Sequence, residues 1–323
     1  MLRVERYSKE NRLLWDSFVR EAKNQSFLFY RDFMDYHKER FSDYSLMVYK
    51  GNMLLAIIPA NVTKDQIISH QGLSYGGVLF ARDVRLGDSI EVIKVVLEYL
   101  NNRGIKTLVI KLIPKMYQCL PSDELDWILF KIKGKLIRRD TALAIDNRVA
   151  HLSYQKRRKR SISKASKLNI RLSKGHDEIR PFWLKVLEPN LLSKHGVAPV
   201  HTLDEILLLA DRFPKNIQQH TIYLDGTIVA GCTVFLNETV AHAQYISGSD
   251  IGRNSGCLDF LFDQLIQEEY IGYNFFDFGI CNEEEGQIIN KGLLDWKEGF
   301  GARTVIHDFY RIDTSSFNHL NDL

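Results

Sequence analysis

Apolar and polar residues alternate along this chain with two different periods, and the switches between them predict a repeated succession of strands and helices. Residues 2–7 predict a short strand, and 13–22 a helix with Leu14, Trp15, Phe18 and Val19 on one face. A second helix is expected over 29–41. Two strands, 45–49 and 54–60, flank Lys50-Gly51-Asn52, a hairpin signal. A third strand, 66–71, runs into the glycine-rich segment 72–77. A helix over 89–102 follows, with Gly104 as its C-terminal cap, and then a strand over 107–112. A helix at 122–133 and a strand at 136–145 close the first half.

The second half repeats that order. A basic helix, 154–168, leads into a strand at 169–173, and two helices, 178–192 and 202–213, come next. Strands 217–224 and 227–236 flank Asp225-Gly226, the pair a tight hairpin turn favours. The third strand, 240–247, enters a loop, 248–256, that holds Gly248, Gly252 and Gly256. A helix (257–270), a strand (274–278), a helix (292–299) and a strand (304–310) complete it. This order resembles that of the GNAT acyltransferase fold, written twice. The expectation is an α/β protein of two tandem GNAT-like domains, 1–150 and 151–323, with mixed sheets, flanking helices and a junction near 146–153.

Composition narrows the class. The chain has 323 residues, 45% hydrophobic and 26% charged, which is ordinary for a globular protein. Its longest apolar run, 53–60, is well short of the ~20 residues a membrane-spanning helix needs, so no membrane insertion is expected. The first residues, charged from Arg3, lack the apolar core of a secretion signal. Four dispersed cysteines with no CxxC pair argue against a disulfide scaffold or clustered zinc site and suit a cytoplasmic setting. Net charge changes the picture more. Of 43 basic residues, nine lie between positions 156 and 174, where there is no acidic one; the remainder, 34 basic against 40 acidic, sums to −6. A mildly acidic protein thus carries one concentrated cationic element, suited to phosphate or to a polyanion, or else a solvated helix face.

Two segments sharpen the reading. Phe275-Phe276-Asp277-Phe278-Gly279 precedes Asn290-Lys291-Gly292-Leu293-Leu294-Asp295-Trp296-Lys297-Glu298-Gly299-Phe300-Gly301, and the second half opens on YQKRRKRSISKASKLNI. These segments resemble the aspartate–aromatic–glycine strand end, the lysine before a Gly-Phe-Gly turn and the basic opening found in the Fem family and related tandem-GNAT acyltransferases. The first-half blocks FMDYHKERFSDYSLMVY and SHQGLSYGG are similar to stretches in relatives from surface-polysaccharide contexts. The sequence departs from the acetyl-CoA-binding GNAT pattern at Arg253-Asn254-Ser255-Gly256-Cys257-Leu258, which has leucine at the last small position. It also lacks the Tyr-x-Phe-Lys context of the Fem lysine. The resemblance implies an N-acyltransferase using an acyl-CoA such as acetyl-CoA, with no metal. Its acceptor would be an amino-sugar nucleotide or another cell-envelope or polysaccharide precursor. The alternatives are a Fem-type peptidyltransferase using aminoacyl-tRNA, and a non-catalytic GNAT pair that binds phosphorylated glycan or RNA.

Acyl transfer needs a neutral amine, a seat for the developing oxyanion and a held donor. The resemblance places the donor's phosphates at 247–256, with Ser247, Gly252 and Gly256 shaping the loop and Arg253 as countercharge; the two glycines equally suit a plain turn. It gives Lys297 a contact with phosphate or with transition-state charge, although a lysine late in a helix also suits the helix dipole. Asp277 ends an apolar strand, where it would orient a lysine, accept the amine's proton or cap the turn at Gly279. On the third strand of the second half, alternation sets His242 and Gln244 on one face and Tyr245 on the other. Histidine is a residue type suited to general-base work, so His242 would act as a base or serve as a hydrogen-bonded core residue. His70, Gln71 and Tyr75 hold the comparable place in the first half and would line an acceptor pocket. Arg157, Arg158 and Arg160 of the basic helix would grip the phosphates of a nucleotide-linked acceptor, CoA or tRNA. His37 and Arg40 share a helix face without making a metal site, and no HExxH or GxSxG motif occurs.

Overall fold

A computed structural model describes residues 1–321 and divides the chain into two compact units. One holds Met1–Asp140 together with the chain from Ile306 onward; the other holds Thr141–Val305. In chain order the first unit contains β1 (Leu2–Arg6), α1 (Arg12–Glu21), α2 (Arg31–Met34), β2 (Leu46–Lys50), β3 (Met53–Ile58), β4 (Asn61–Thr63), β5 (Gln66–Ser69), β6 (Leu79–Phe80), α3 (Leu86–Asn101), β7 (Thr107–Lys111) and α4 (Glu124–Lys131). The chain passes to the second unit within β8 (Lys135–Asp146). There follow α5 (Lys156–Ala165), β9 (Ile170–Lys174), α6 (Ile179–Phe182), α7 (Glu188–His195), α8 (Leu203–Arg212), β10 (Ile217–Leu224), β11 (Thr227–Leu236), β12 (Val240–Gly248), α9 (Asp250–Asn254), α10 (Cys257–Gln264), β13 (Phe275–Ile280), β14 (Asn282–Glu283), β15 (Ile288–Ile289) and α11 (Lys291–Glu298). The chain returns to the first unit within β16 (Arg303–Asp313).

The first unit has one sheet in the order β1-β2-β3-β6 and a second run of paired strands, β4-β5-β7-β16. Helix α3 buries the stripe Ile93, Val96, Leu97 and Leu100, and this packs with Val48, Ile58, Leu108 and Ile110 in one apolar core. β16 belongs here because it pairs antiparallel with β7, from Phe309↔Lys111 to Asp313↔Thr107. Ile312 and Leu320 then enter the same core, and the Thr314 hydroxyl donates to the Ile105 carbonyl at 2.7 Å. The partition therefore differs from a simple cut near 150. Pairing with β7, and not position along the chain, decides where the last strand belongs.

Two expected elements take another form. The helix expected over 29–41 is only Arg31–Met34, with 3₁₀ turns at Phe27–Phe29 and Asp35–His37. Tyr30 is extended (ψ 142°), and the buried Arg31 is drawn inward to Asp35 and Asp43, which breaks the helical register. The strand expected over 66–71 ends at Ser69. It is the second arm of a hairpin with β4, turned at Lys64, whose φ is 55°.

In the second unit the strands run β8-β13-β12-β11-β10-β9. Both central residues of the Asp225-Gly226 turn have positive φ (49° and 79°), the twist a two-residue hairpin favours. The basic helix α5 is amphipathic: Arg158 and Ala165 are buried and Ile162 packs on the core, while its other cations face solvent. α6 and α7 form one helical run, 179–195, widened by a π turn at Trp183–Leu187. The core on the α10 side stacks Phe262 on Phe278 (5.3 Å between centroids), with Phe276, Trp296 and Phe300 around them. Among the described residues no helix is long and apolar enough to cross a membrane.

Candidate active site in the second unit

The site begins where two strands part. β12 and β13 pair in parallel over three positions only, Val240↔Phe275, Ala241↔Phe276 and His242↔Asp277. Beyond His242, β12 runs on to Gly248 paired with β11. Phe276 and Phe278 turn to the apolar core, so Asp277 between them faces the other side of the sheet, fully buried. A buried carboxylate is costly unless its oxygens are occupied, and both are. Oδ2 accepts from His242 Nδ1 at 2.7 Å, and Oδ1 accepts from the Gly279 N–H at 2.7 Å. An ionised carboxylate only accepts, so the imidazole carries its proton on Nδ1 and presents Nε2 as a base. The His242 side chain is 16% exposed against 0% for Asp277. Gly279 sits at φ 73°, and a Cβ there would stand 3.2 Å from His242 Cε1, so glycine keeps the imidazole in place.

Lys297 completes this cluster from α11. It is buried, and Nζ donates to the carbonyls of Gly279 (2.8 Å) and Ile280 (2.7 Å). Burial pushes its pKa down to about 8, opposed by the charge of Asp277. In this arrangement Lys297 fixes the end of β13.

A cavity of about 580 Å³ opens at the other end of β12. Arg157, Arg158, Lys194 and Arg253 line it together with Ser247 and Gly248. Ile246, Leu258, Leu293 and Trp296 supply apolar surface. Arg158 is buried and paired with the buried Asp259, which also accepts from Trp296 Nε1 at 2.8 Å. Arg253 turns back on the Gly248 carbonyl, on Asp250 and on Asn190 Oδ1 (2.9 Å). Partial burial, and then Arg253, lower the Lys194 pKa. Four cations around one hollow, with Asp259 the carboxylate in its wall, make it attractive to an anion.

The loop itself is closely packed. Ser249 caps α9 by accepting from the Gly252 N–H at 3.1 Å, and a Cβ on Gly252 would lie 2.2 Å from the Val229 carbonyl oxygen. Gly256, at φ 85°, caps α10 where a Cβ would meet the Ser161 carbonyl at 2.4 Å. These glycines let the loop lie against β11 and α5. Ser247 is buried and donates to the Val186 carbonyl at 3.4 Å. Arg160 faces solvent on α5 and does not line the cavity.

The alternation expected along β12 is corrected by a bulge. Val234 pairs with Ala243 but Thr233 with Tyr245, so Gln244 is the extra residue. Ala241 and Ala243 face the apolar core, and after the bulge Ile246 does. Tyr245 is thereby carried to the side of His242, where its ring meets Trp183 edge-on at 4.8 Å and its hydroxyl bonds His201 Nδ1. Gln244 Oε1 is buried on the bulge without a hydrogen-bond partner. Of the first-half candidates, His70 and Tyr75 are buried in the first unit and Gln71 is exposed. His70 is buried against His37 and Phe41, and its Nδ1 accepts from the Gly72 N–H at 3.2 Å. Gln71 is held to Asn61 at 2.6 Å, and the Tyr75 hydroxyl meets Ser26 Oγ at 2.9 Å.

Sequence reasoning missed Asn190, Lys194 and Asp259. Asp259, an acid inside the apolar run Cys257-Leu258-Asp259-Phe260-Leu261, was a readable signal of a buried ion pair. Asn190 and Lys194 lie on a helix whose face is set by the π turn, which nothing in the local pattern announces.

No family model and no curated protein matches the sequence. Solved structures do. FemX superposes with a TM-score of 0.66 at 10% identity, covering 99% of this chain and 100% of that one. The C-terminal domain of a candidate lysylphosphatidylglycerol synthetase from Agrobacterium fabrum gives 0.62 at 13% identity, covering 94% and 92%. A tandem GNAT protein from the clavulanic acid biosynthesis pathway gives 0.51 at 10%, covering 97% and 99%. At such identities the likeness speaks for architecture, and the chain has the Fem-like tandem GNAT fold.

Proposed function

We propose that this protein is an N-acyltransferase whose second unit holds an acyl donor carried on phosphate, an acyl-CoA such as acetyl-CoA. The acceptor is an amine of an amino-sugar nucleotide or another cell-envelope or polysaccharide precursor. The observation that carries this reading is the layout of β12. Its ladder with β13 stops at His242, beside the Asp277-bound imidazole, and the same strand ends at Ser247 and Gly248 in the wall of the cation-rimmed cavity. The similarity to FemX and to the clavulanic acid pathway tandem GNAT supports it.

In this scheme the amine nitrogen attacks the thioester carbonyl carbon. A C–N bond forms, and the tetrahedral intermediate carries its negative charge on oxygen, where main-chain N–H groups of the parted strand serve as donors. His242 Nε2 takes the nitrogen's proton while Asp277 holds the resulting imidazolium. The C–S bond then breaks and the thiolate leaves as free thiol after protonation.

A second donor, aminoacyl-tRNA, is favoured by one feature. The Ser249–Arg253 loop spends N–H and guanidinium donors on its own chain, whereas Lys156, Lys159 and Arg160 of α5 face solvent next to Arg157. Thermal-shift titration separates the readings. Stabilisation by acetyl-CoA or longer acyl-CoAs supports the first, and protection by charged tRNA alone supports the second. Neither ligand acting would remove the transferase reading.

A further inference from the structure

Two arginine–acid dipeptides far apart in the sequence, Arg20-Glu21 and Arg82-Asp83, meet at one cavity of the first unit, about 520 Å³ in volume. Arg20 and Glu21 lie in the last turn of α1, and Arg82 and Asp83 in the turn between β6 and α3. Gln25 joins them from the segment after α1. Among the described residues no salt bridge or side-chain hydrogen bond engages any of these four charges. The cations next to the lining are otherwise placed. Lys23 is matched to Glu124 and Lys50 to Asp88 at 3.1 Å, and Arg85 lies outside the lining. Opposite charges that share a hollow without pairing keep their donors and acceptors open to a ligand.

The rest of the lining is apolar. Phe18 and Ala22 stand one turn apart on α1, Met53 and Leu54 come from β3, and Ala81 follows β6. Met53 is 53% exposed, apolar surface that the body of a ligand would cover. The wall also has a polarity of its own. The Ala22 N–H closes α1 on the Phe18 carbonyl, so the last carbonyls of the helix have no helical partner, and its negative end borders the cavity beside Glu21. A phosphate would meet two carboxylates here, and a polyamine two guanidiniums. A molecule with one ammonium and one carboxylate answers both signs at once.

We propose that this cavity binds a zwitterion with an apolar body, a free amino acid or a short peptide. Its ammonium lies at Glu21 and the end of α1, its carboxylate at Arg82, and its apolar part over Phe18 and Met53. The volume is that of an ordinary small-molecule site. The inference stands on the first unit alone and does not rest on the proposed acyl transfer.

The test is calorimetric titration of the full chain, without acyl donor, with leucine and with leucyl-leucine. Binding of either supports the proposal, and the tighter of the two tells an amino acid from a peptide. N-acetyl-leucyl-leucine, which lacks the ammonium, and leucyl-leucinamide, which lacks the carboxylate, should each bind about tenfold more weakly than leucyl-leucine. These ligands probe the parent chain, so the result does not depend on a variant folding. Glu21→Gln should weaken leucyl-leucine about tenfold and leave the N-acetyl form unchanged. Arg82→Ala should weaken it similarly and leave the amide form unchanged. Both positions are exposed, so the thermal midpoint should stay that of the parent. Absence of binding by both zwitterions overturns the proposal. So does binding of the blocked forms as tight as that of the parent ligand, or binding indifferent to both substitutions. Inorganic phosphate that binds and is displaced by neither zwitterion overturns it in favour of a plain anion site.

Discussion

Each unit contains a hairpin whose second strand runs parallel to a neighbour, β5 with β7 and β12 with β13, and each has a lysine that serves backbone carbonyls there. Lys111 donates to the carbonyls of His70 (3.0 Å), Gln71 and Leu73, as Lys297 does to those of Gly279 and Ile280. Burial pushes both down to about 8. The histidines differ. His70 is driven down to about 3, first by burial and then by His37, and its Nδ1 is spent on a backbone N–H. His242 is tied to a carboxylate and keeps part of its ring open. A duplicated frame thus twice supplies a histidine where a parallel ladder ends, but chemistry follows the partner that orients it and the space beside it.

The most severe way to break this contrast is Asp277→Asn. Loss of the carboxylate that holds the imidazolium should cut kcat for an amine acceptor ~10²-fold or more, in the range of general-base contributions. A comparable loss in His70→Gln would put the two histidines on an equal footing and end the asymmetry.

The next effect lies in acid. The folded-state value of His70, about 3, is below its ordinary 6.5, so in that interval the unfolded chain binds more protons than the folded one. Stability is therefore full above pH 6.5 and declines as pH falls towards 3, by about 5 kcal/mol at the limit. His70→Gln should flatten the acid limb of amide-exchange protection in the first unit. The second unit should keep its own limb, set by His220, which burial lowers to about 4.

The lysines act at the alkaline side. For a base lowered from 10.5 to about 8, the cost of holding its charge inside is relieved as pH rises through that window. Stability should climb by up to about 3 kcal/mol per lysine there. Lys111→Met and Lys297→Met should each remove the rise in their own unit. Equal loss of the rise in both units from one substitution would show that the two carbonyl clasps are not independent.

The smallest effect concerns Arg157, exposed at the cavity. Arg157→Ala should weaken binding of a phosphate-bearing donor by about tenfold and reduce its salt dependence, with no change in thermal midpoint. An unchanged salt slope would show the cavity recognises something other than charge.

Much of this architecture could be read from local pattern. The hairpins at Gly51 and Asp225-Gly226 follow from turn chemistry, and Gly104 does close α3 at φ 75°. The apolar strand around Asp277 and the cationic helix also lie where their composition puts them. What stayed hidden depends on one-residue insertions and distant partners. A single extra residue, Gln244, turns Tyr245 to the other side of β12, and one π turn sets the face of Asn190 and Lys194. Arg31, inside the helix expected over 29–41, is instead recruited by Asp43. Neighbouring residues cannot announce a partner a dozen positions away, and His242 shows the same limit with Asp277.

The course of the last strand has a consequence for biosynthesis. The first unit takes β16 beside β7, so a ribosome must translate about 200 residues past β7 before that sheet can receive its missing member. The second unit, encoded between the two parts, can complete itself earlier. Nascent chains will expose the bare flank of β7 meanwhile, and a premature stop just before Ile306 will injure the amino-terminal half more than the half in which it falls.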